Sequence, residues 1–540
     1  MREHKAIILF LLLAAITLLA TVGSYGVIET SDARYAEIAR EMFRSNDWLN
    51  PNLLDVHHYH KPPVTYQITA LGYEIWGINP FGARFFLQIS ILIQIVLVYL
   101  LTLQFMNDRK TALWASVIYF TFPIVLIASR NLTTDAFLAT FTLLAVYAWV
   151  HFRQKGKMRW LYLFTLALGL GFLTKGPVVF LAPVIFAILY NRIEKNKQQW
   201  NIHHFIAWGL FLAIASSWFI YLAADNPAFW DYFIGKQTVD RFSHNVFNRS
   251  EPFWYFIVLA PLLGMPWLFL FPWFFKKSNI TFKPLGIESV LILSVAIPLI
   301  FFSISTSKRV LYILPLYPFL AVATAIFLQK LPEANSKTVL HTIGGYAFLL
   351  FTALALAPWI PGKIHFPPFL TPVSIVLILL LLWIWKNTFL NIKNKSILIS
   401  FITASYFLLA ATALFSQSVH SFKIATPVTD WIIAQHLDKR EILIYNKRLP
   451  SVAFTLNKSI ISLYDGARQL NREVQFEKDE KWKDYLYNLQ DTKERTRLEK
   501  KITEQPSLLI LYKDKLPKKQ AWLKAYYQHE KHLGKWTVYY

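Results

Sequence analysis

Apolar residues in this chain gather into blocks of about twenty, the length an α-helix needs to cross the hydrocarbon core of a bilayer. Thirteen such blocks are placed, near 6–28, 82–104, 111–129, 134–151, 160–174, 177–191, 204–223, 254–275, 287–305, 309–329, 341–359, 371–388 and 397–416. A soluble chain of 540 residues would divide into domains of moderate hydropathy, whereas this one is 55% hydrophobic with a mean hydropathy of +0.37. Its 26 Tyr and 19 Trp suit the aromatic belts at the two membrane interfaces. The run from Ala6 to Val27 is longer than a signal-peptide core and lacks a small-x-small cleavage site, so a retained first span is expected. The pattern predicts an α-helical polytopic membrane protein.

Charge sets the expected orientation. With the N-terminus cytoplasmic, every loop assigned to the cytoplasmic side is basic, for example Arg109-Lys110 and the cluster Arg153, Lys155, Lys157 and Arg159. The net charge of +23 is thereby explained by membrane lipids as partners, and no nucleic acid is called for. Cysteine is absent, which excludes disulfides, thiolate metal sites and a Cys nucleophile. The other side receives two long loops, 29–81 and 224–253, both assigned to a membrane domain of residues 1–416. In the tail, 417–540, short apolar runs at Glu441–Tyr445, Ile460–Tyr464, Ser507–Tyr512 and Trp536–Tyr540 alternate with charge-rich, helix-like stretches such as Lys518–His529. That pattern predicts a small soluble α/β domain.

The first outer loop is the most informative segment. Tyr35, Ile38, Ala39 and Met42 share one helical face, with Arg34, Glu37, Glu41 and Arg44 largely opposite, as in a helix lying on a membrane surface. Asp32 stands where a carboxylate would cap that helix, and capping and catalysis both stand as readings. Lys61 precedes Pro62-Pro63, so its backbone is pushed toward extended geometry. A rigid lysine there would bind a lipid phosphate as a point charge, or simply snorkel. His57, His58 and His60 invite a metal. With no second ligand cluster at helical spacing, a solvated polar loop explains them more readily.

The run Ser31-Asp32-Ala33-Arg34-Tyr35-Ala36-Glu37-Ile38-Ala39-Arg40-Glu41-Met42, followed by Asn46-Asp47-Trp48 and Lys61-Pro62-Pro63, resembles the first periplasmic loop of the aminoarabinose (lipid A) transferases and protein O-mannosyltransferases. These are GT-C integral-membrane glycosyltransferases that use polyprenyl-phosphate sugars. The resemblance implies a GT-C fold of about thirteen transmembrane helices with a C-terminal periplasmic domain, in the bacterial inner membrane. It implies a polyprenyl (undecaprenyl) phosphate sugar donor and lipid A, another envelope glycan or a protein as acceptor. The family's paired acids appear here as Ser31-Asp32, and its acid before the lysine appears as His60. In the family that acid helps hold a divalent metal with a His of the second outer loop. Here only His60 matches the position, with His244 merely nearby, so no cofactor is firmly implied.

Further polar residues fall at junctions assigned to the outer face. Asp135 opens the fourth span and matches an acidic family position; Lys175 sits at the turn between two short spans. Arg241, Arg249, Lys308 and Arg309 lie in the second outer loop and a later turn, the latter leading into Tyr312-Ile313-Leu314-Pro315. The expected catalytic residues are Asp32, as base or orienting acid, and Asp135, which positions donor or acceptor. The expected phosphate or donor-binding residues are Lys61, Arg34, Tyr59, Lys175, Arg241, Arg249, Lys308, Arg309 and Tyr312. A sugar phosphate is already a good leaving group, so its departure needs charge stabilisation more than a general acid. A single base attacking from the opposite face would invert the anomeric centre. The competing reading, a polyprenyl-sugar transporter or flippase, expects ionisable residues deep within spans and broken helices near the midplane.

Overall fold

The computed structural model describes residues 2–194, 199–233, 235, 251–277, 286–362, 364–419, 421–513 and 515–540. The chain divides by packing into two compact units, Met1–Thr21 with Leu87–Leu414, and Val22–Phe86 with Phe415–Tyr540.

The first unit is helical. Each of the apolar blocks coincides with a helix or a pair of helices among the described residues. Among the described residues, seven helices are long and apolar enough to cross a membrane, or up to nine if each of two bent pairs is one span. The bent pairs are Arg109–Thr121 with Pro123–Ser129, turning by 63°, and Tyr255–Leu263 with Trp267–Lys277, turning by 105°. Proline explains the breaks: Phe122 before Pro123 is forced into extended geometry, and Pro266 precedes the second half of the other pair. The first helix is shorter than expected and ends at Leu19. Many outward side chains, such as Leu12, Ile16, Leu379 and Trp383, are apolar and exposed, as lipid contact requires.

Small residues let the inner helices approach closely. The helices Thr134–Lys155, Met158–Lys175 and Ile202–Asp225 meet around Ala145, Ala148, Ala167 and Ala215, with Phe152, Phe164 and Phe211 filling between them. A Cβ on Gly171 would lie 2.4 Å from Val179 Cγ2, so only glycine fits there. Gly176, at φ +84°, stops the Met158–Lys175 helix and turns the chain into Pro177. Lys175 is thereby fixed at a helix end.

The second unit joins the first outer loop to the tail. Its centre is a six-stranded sheet of β1 (Glu441–Tyr445), β2 (Ile461–Tyr464), β3 (Leu486–Asn488), β4 (Ser507–Tyr512), β5 (Glu530–Leu533) and β6 (Trp536–Tyr539), in the order β3-β2-β1-β4-β6-β5. The first four strands run parallel, β6 is antiparallel to β4, and β5 is antiparallel to β6. In register, Leu443 faces Ile461 and Leu509, so apolar rows run across the sheet. β4 is buried along its whole length, as a central parallel strand should be, whereas the edge strand β5 carries exposed Glu530, Lys531 and His532. The expected helix at Lys518–His529 is a 3-10 segment, Lys518–Tyr526.

The loop helix Ser31–Ser45 corrects the membrane-surface expectation. Glu37 and Glu41 of its polar face are buried too, because it packs on the helices Val64–Trp76 and Pro450–Leu456. Arg40 donates from Nε and Nη2 to the two oxygens of Glu37, both at 2.7 Å, and both side chains are buried. The backbone amides of Leu54 and Asp55 donate to the carboxylate of Glu41, and Arg44 donates to the Asn457 carbonyl. The amphipathic period is right; the partner of the polar face is protein rather than water.

Candidate functional site

Each unit brings together part of the expected site. In the second unit, Asp32 is 3% exposed at the start of the Ser31–Ser45 helix. The cap position itself is Thr30, whose side chain makes no capping hydrogen bond. The Asp32 carboxylate accepts from the Ile28 amide at 2.9 Å and from Arg84, at 2.5 Å from Nη2 and 3.2 Å from Nε. Arg84 lies in the first turn of the apolar helix Pro80–Met106 and is fully buried. Its remaining N–H groups donate to the carbonyls of Val22, Tyr25 and Gly26, each at 3.1 Å, and its guanidinium lies 4.1 Å from the Tyr25 ring centre. The pair thus pins the helix start to the chain preceding it. Sequence reasoning missed Arg84, although a cation in the outer end of an apolar span is itself a signal.

The motif Asn46-Asp47-Trp48 builds the turn after that helix. Asp47 Oδ1 accepts the amides of Leu49 and Asn50 at 3.1 and 3.0 Å, and Trp48 Nε1 donates to Asn46 at 3.0 Å. Asn50 then accepts from the Tyr59 hydroxyl at 3.0 Å, which orders the segment leading to Lys61. Tyr59 is buried and its ring packs beside His57 and Phe476. Lys61 is half-buried, just before the Val64–Trp76 helix, and the half-buried Arg34 guanidinium lies 5.3 Å from the Tyr35 ring centre.

His60 meets a tail residue that sequence spacing could not bring to mind. Its Nε2 is 2.7 Å from Glu473 Oε1, and the His58 and His60 ring centres are 3.9 Å apart. Burial lowers the pKa of His60 to about 4, against the pull of Glu473, and burial also carries His58 well below its ordinary value. Both rings are therefore neutral at neutral pH, the form in which imidazole ligates metals. His58 and Glu473 fit a divalent ion together with His60, and the second-loop His that the resemblance implies is not needed to form this cluster. On binding, such an ion would supply a fixed positive charge.

In the first unit, Asp135 lies in the first turn of the Thr134–Lys155 helix, which Thr133 caps through the Asp135 amide at 3.4 Å. The cap is thus Thr133, and the Asp135 carboxylate pairs with the Lys175 ammonium. Lys175 Nζ lies 4.3 Å from the Tyr312 ring centre. Lys308 is buried; its ammonium donates to the Ser305 carbonyl at 2.5 Å and the Glu251 carbonyl at 2.8 Å. Arg309 is exposed. Arg241, Arg249 and His244 lie outside the described residues. Arg130, not among the expected site residues, is buried and donates to Thr412, Gln88 and the carbonyls of Thr17 and Leu18, a structural role.

Residues 5–233 match the family of dolichyl-phosphate-mannose-protein mannosyltransferases. The undecaprenyl phosphate-α-4-amino-4-deoxy-L-arabinose arabinosyl transferase 1 of Pseudomonas fluorescens is 26% identical over 486 residues, covering 86% of each chain. The corresponding Pseudomonas aeruginosa transferase is 26% identical over 484 residues, covering 87% of each. Among solved structures, the crystal structure of ArnT from Cupriavidus metallidurans bound to undecaprenyl phosphate aligns with a TM-score of 0.80 at 19% identity. It covers 99% of this chain and 97% of that one. Over most of its length this chain is thus similar in sequence to aminoarabinose transferases, and it shares the fold of the Cupriavidus metallidurans structure.

Proposed function

We propose that this protein moves 4-amino-4-deoxy-L-arabinose from undecaprenyl phosphate to a phosphate group of lipid A at the periplasmic face of the inner membrane. The relatives are named for that donor, and a protein of the same fold was crystallised with the carrier lipid. The observation on this chain that carries the reading is Lys175. Its ammonium sits at a helix end between a carboxylate and a tyrosine face.

In this reading an acceptor oxygen attacks the anomeric carbon as the carbon–oxygen bond to the carrier phosphate breaks. The bonding electron pair leaves on undecaprenyl phosphate, and attack from the opposite face inverts the centre. Lys175 stabilises the charge that grows on the departing phosphate, with Lys308 and Arg309 as further anion ligands. Tyr312 positions the donor. Asp135 places Lys175 and stays paired with it while a remaining N–H of the ammonium meets the phosphate.

The acids speak for the acceptor. Both Asp32 and Asp135 are already engaged by cations, so neither is a ready proton acceptor. A hydroxyl acceptor would need such a base. A phosphate acceptor is ionised beforehand and needs none, which leaves Asp32 as an orienting acid. A flippase reading would need ionisable groups exposed along a path through the spans. The buried Arg130 is instead fully tied to backbone and side-chain acceptors. The test is transfer of labelled sugar from its undecaprenyl phosphate to lipid A by detergent-purified protein. Transfer to hydroxyl acceptors but not to lipid A carrying its phosphates would refute the acceptor assignment.

A further inference from the structure

The His58–His60–Glu473 cluster has a feature that a satisfied hydrogen-bonded core lacks. His58 is 1% exposed, and neither of its ring nitrogens has a hydrogen-bond partner. Buried polar atoms are nearly always paired, because an orphaned one costs about 1–3 kcal/mol. The nearest carboxylate oxygen, Glu473 Oε2, is 3.9 Å from His58 Nδ1, too far for a hydrogen bond. One ligand atom from each of His58, His60 and Glu473 lies within 4.8 Å of the other two. Ligands on a tetrahedral zinc ion, at about 2.0–2.1 Å from the metal, stand roughly 3.3 Å apart. Small side-chain shifts therefore convert the cluster to first-row metal geometry.

We infer that His58, His60 and Glu473 form a divalent-metal site of the zinc class, which clasps the first outer loop to the C-terminal sheet domain. Two imidazoles and one carboxylate are a borderline-soft donor set that favours zinc over magnesium or calcium. The sequence puts His58 and His60 on the loop, and Glu473 directly before the 3-10 turn Val474–Phe476 of the tail. Neighbouring contacts already bring the two segments together: Arg472 donates to the carbonyls of Leu53 and Val56, and the His57 amide donates to Glu477 at 2.6 Å. The metal would satisfy the lone pair that His58 otherwise buries without a partner. Arg34, Arg448 and Arg472 add positive charge nearby, which favours hydroxide or another anionic oxygen in the fourth position. The ligand set differs from the one the family resemblance implies, because its acid comes from the tail. The clasp does not depend on the transfer reaction, and neither arm of its test reads activity.

Full-length protein in detergent, stripped with a chelator and then dialysed against zinc, is expected to retain one zinc per chain by mass spectrometry of metals. His60→Ala and Glu473→Gln are each expected to weaken zinc binding about tenfold or more, and His57→Ala to leave it unchanged. In the second arm, zinc but not magnesium should slow limited proteolysis of the 415–540 region in the otherwise unaltered protein. That arm needs no variant, so a folding defect cannot mimic its result. Absence of stoichiometric zinc, equal zinc in Glu473→Gln, or no zinc-dependent protection would each overturn the proposal.

Discussion

Two acid–cation pairs, one in each unit, look alike on paper and differ in what their cations have left to give. Asp32–Arg84 and Asp135–Lys175 both place a carboxylate in the first turn of a helix against a cation from a neighbouring helix end. Arg84 is saturated, because three backbone carbonyls and both oxygens of Asp32 take up its planar array of donors. Lys175 is half-buried, and among the described residues its ammonium meets one carboxylate and one aromatic face. An ammonium carries three donors, so capacity remains for a phosphate oxygen. The first pair holds structure in place; the second leaves its cation a donor to share.

Breaking the first pair should have the largest effect, and on folding rather than on chemistry. Arg84→Ala leaves the buried Asp32 charge without its partner, a loss of about 3–5 kcal/mol. Little monodisperse protein should survive size-exclusion chromatography. Asp32→Asn should behave similarly but less severely. Lys175→Ala should sharpen the contrast, leaving the folded yield near that of the unaltered protein while turnover falls about 10²–10³-fold. Equal losses of yield in Arg84→Ala and Lys175→Ala would erase the distinction.

Smaller effects probe the surroundings of each pair. Tyr312→Leu removes the aromatic face beside Lys175, worth about 0.5–1 kcal/mol. KM for the lipid donor should rise a few-fold, and Tyr312→Phe should restore it. Near the first pair, burial raises the Glu29 carboxyl to about 7, with the Ser451 amide, Arg448 and Lys423 pulling the other way. A raised pKa means that the folded protein binds the extra proton. Stability therefore falls as pH rises from the unfolded value of 4.5 toward about 7. Glu29→Gln should flatten that slope, by about 1–3 kcal/mol across the window, in thermal unfolding followed against pH.

The helices and four of the six strands were legible because their signals are local. Blocks of lipid-facing apolar residues mark the helices, and the dense apolar runs of β1, β2, β4 and β6 mark strands with buried faces. β3, with three residues, and β5, with a charged edge, carry no such run and were missed. The Ser31–Ser45 helix was read with the right period but the wrong partner, since nothing near position 40 announces the Pro450–Leu456 helix. The same distance in sequence hid Glu473 from His60 and the carbonyl cradle of Val22, Tyr25 and Gly26 from Arg84. Lys175, Asp135 and Tyr312 were singled out as polar residues at span ends, and the fold brings these three together.

The most direct measurement is label transfer from undecaprenyl phosphate-linked 4-amino-4-deoxy-L-arabinose to lipid A, comparing unaltered protein with equally folded Lys175→Ala. The expected result is transfer by the unaltered protein and a loss of at least about a hundredfold in the variant. Undiminished transfer by Lys175→Ala would contradict the claim that this ammonium carries the charge of the departing carrier phosphate.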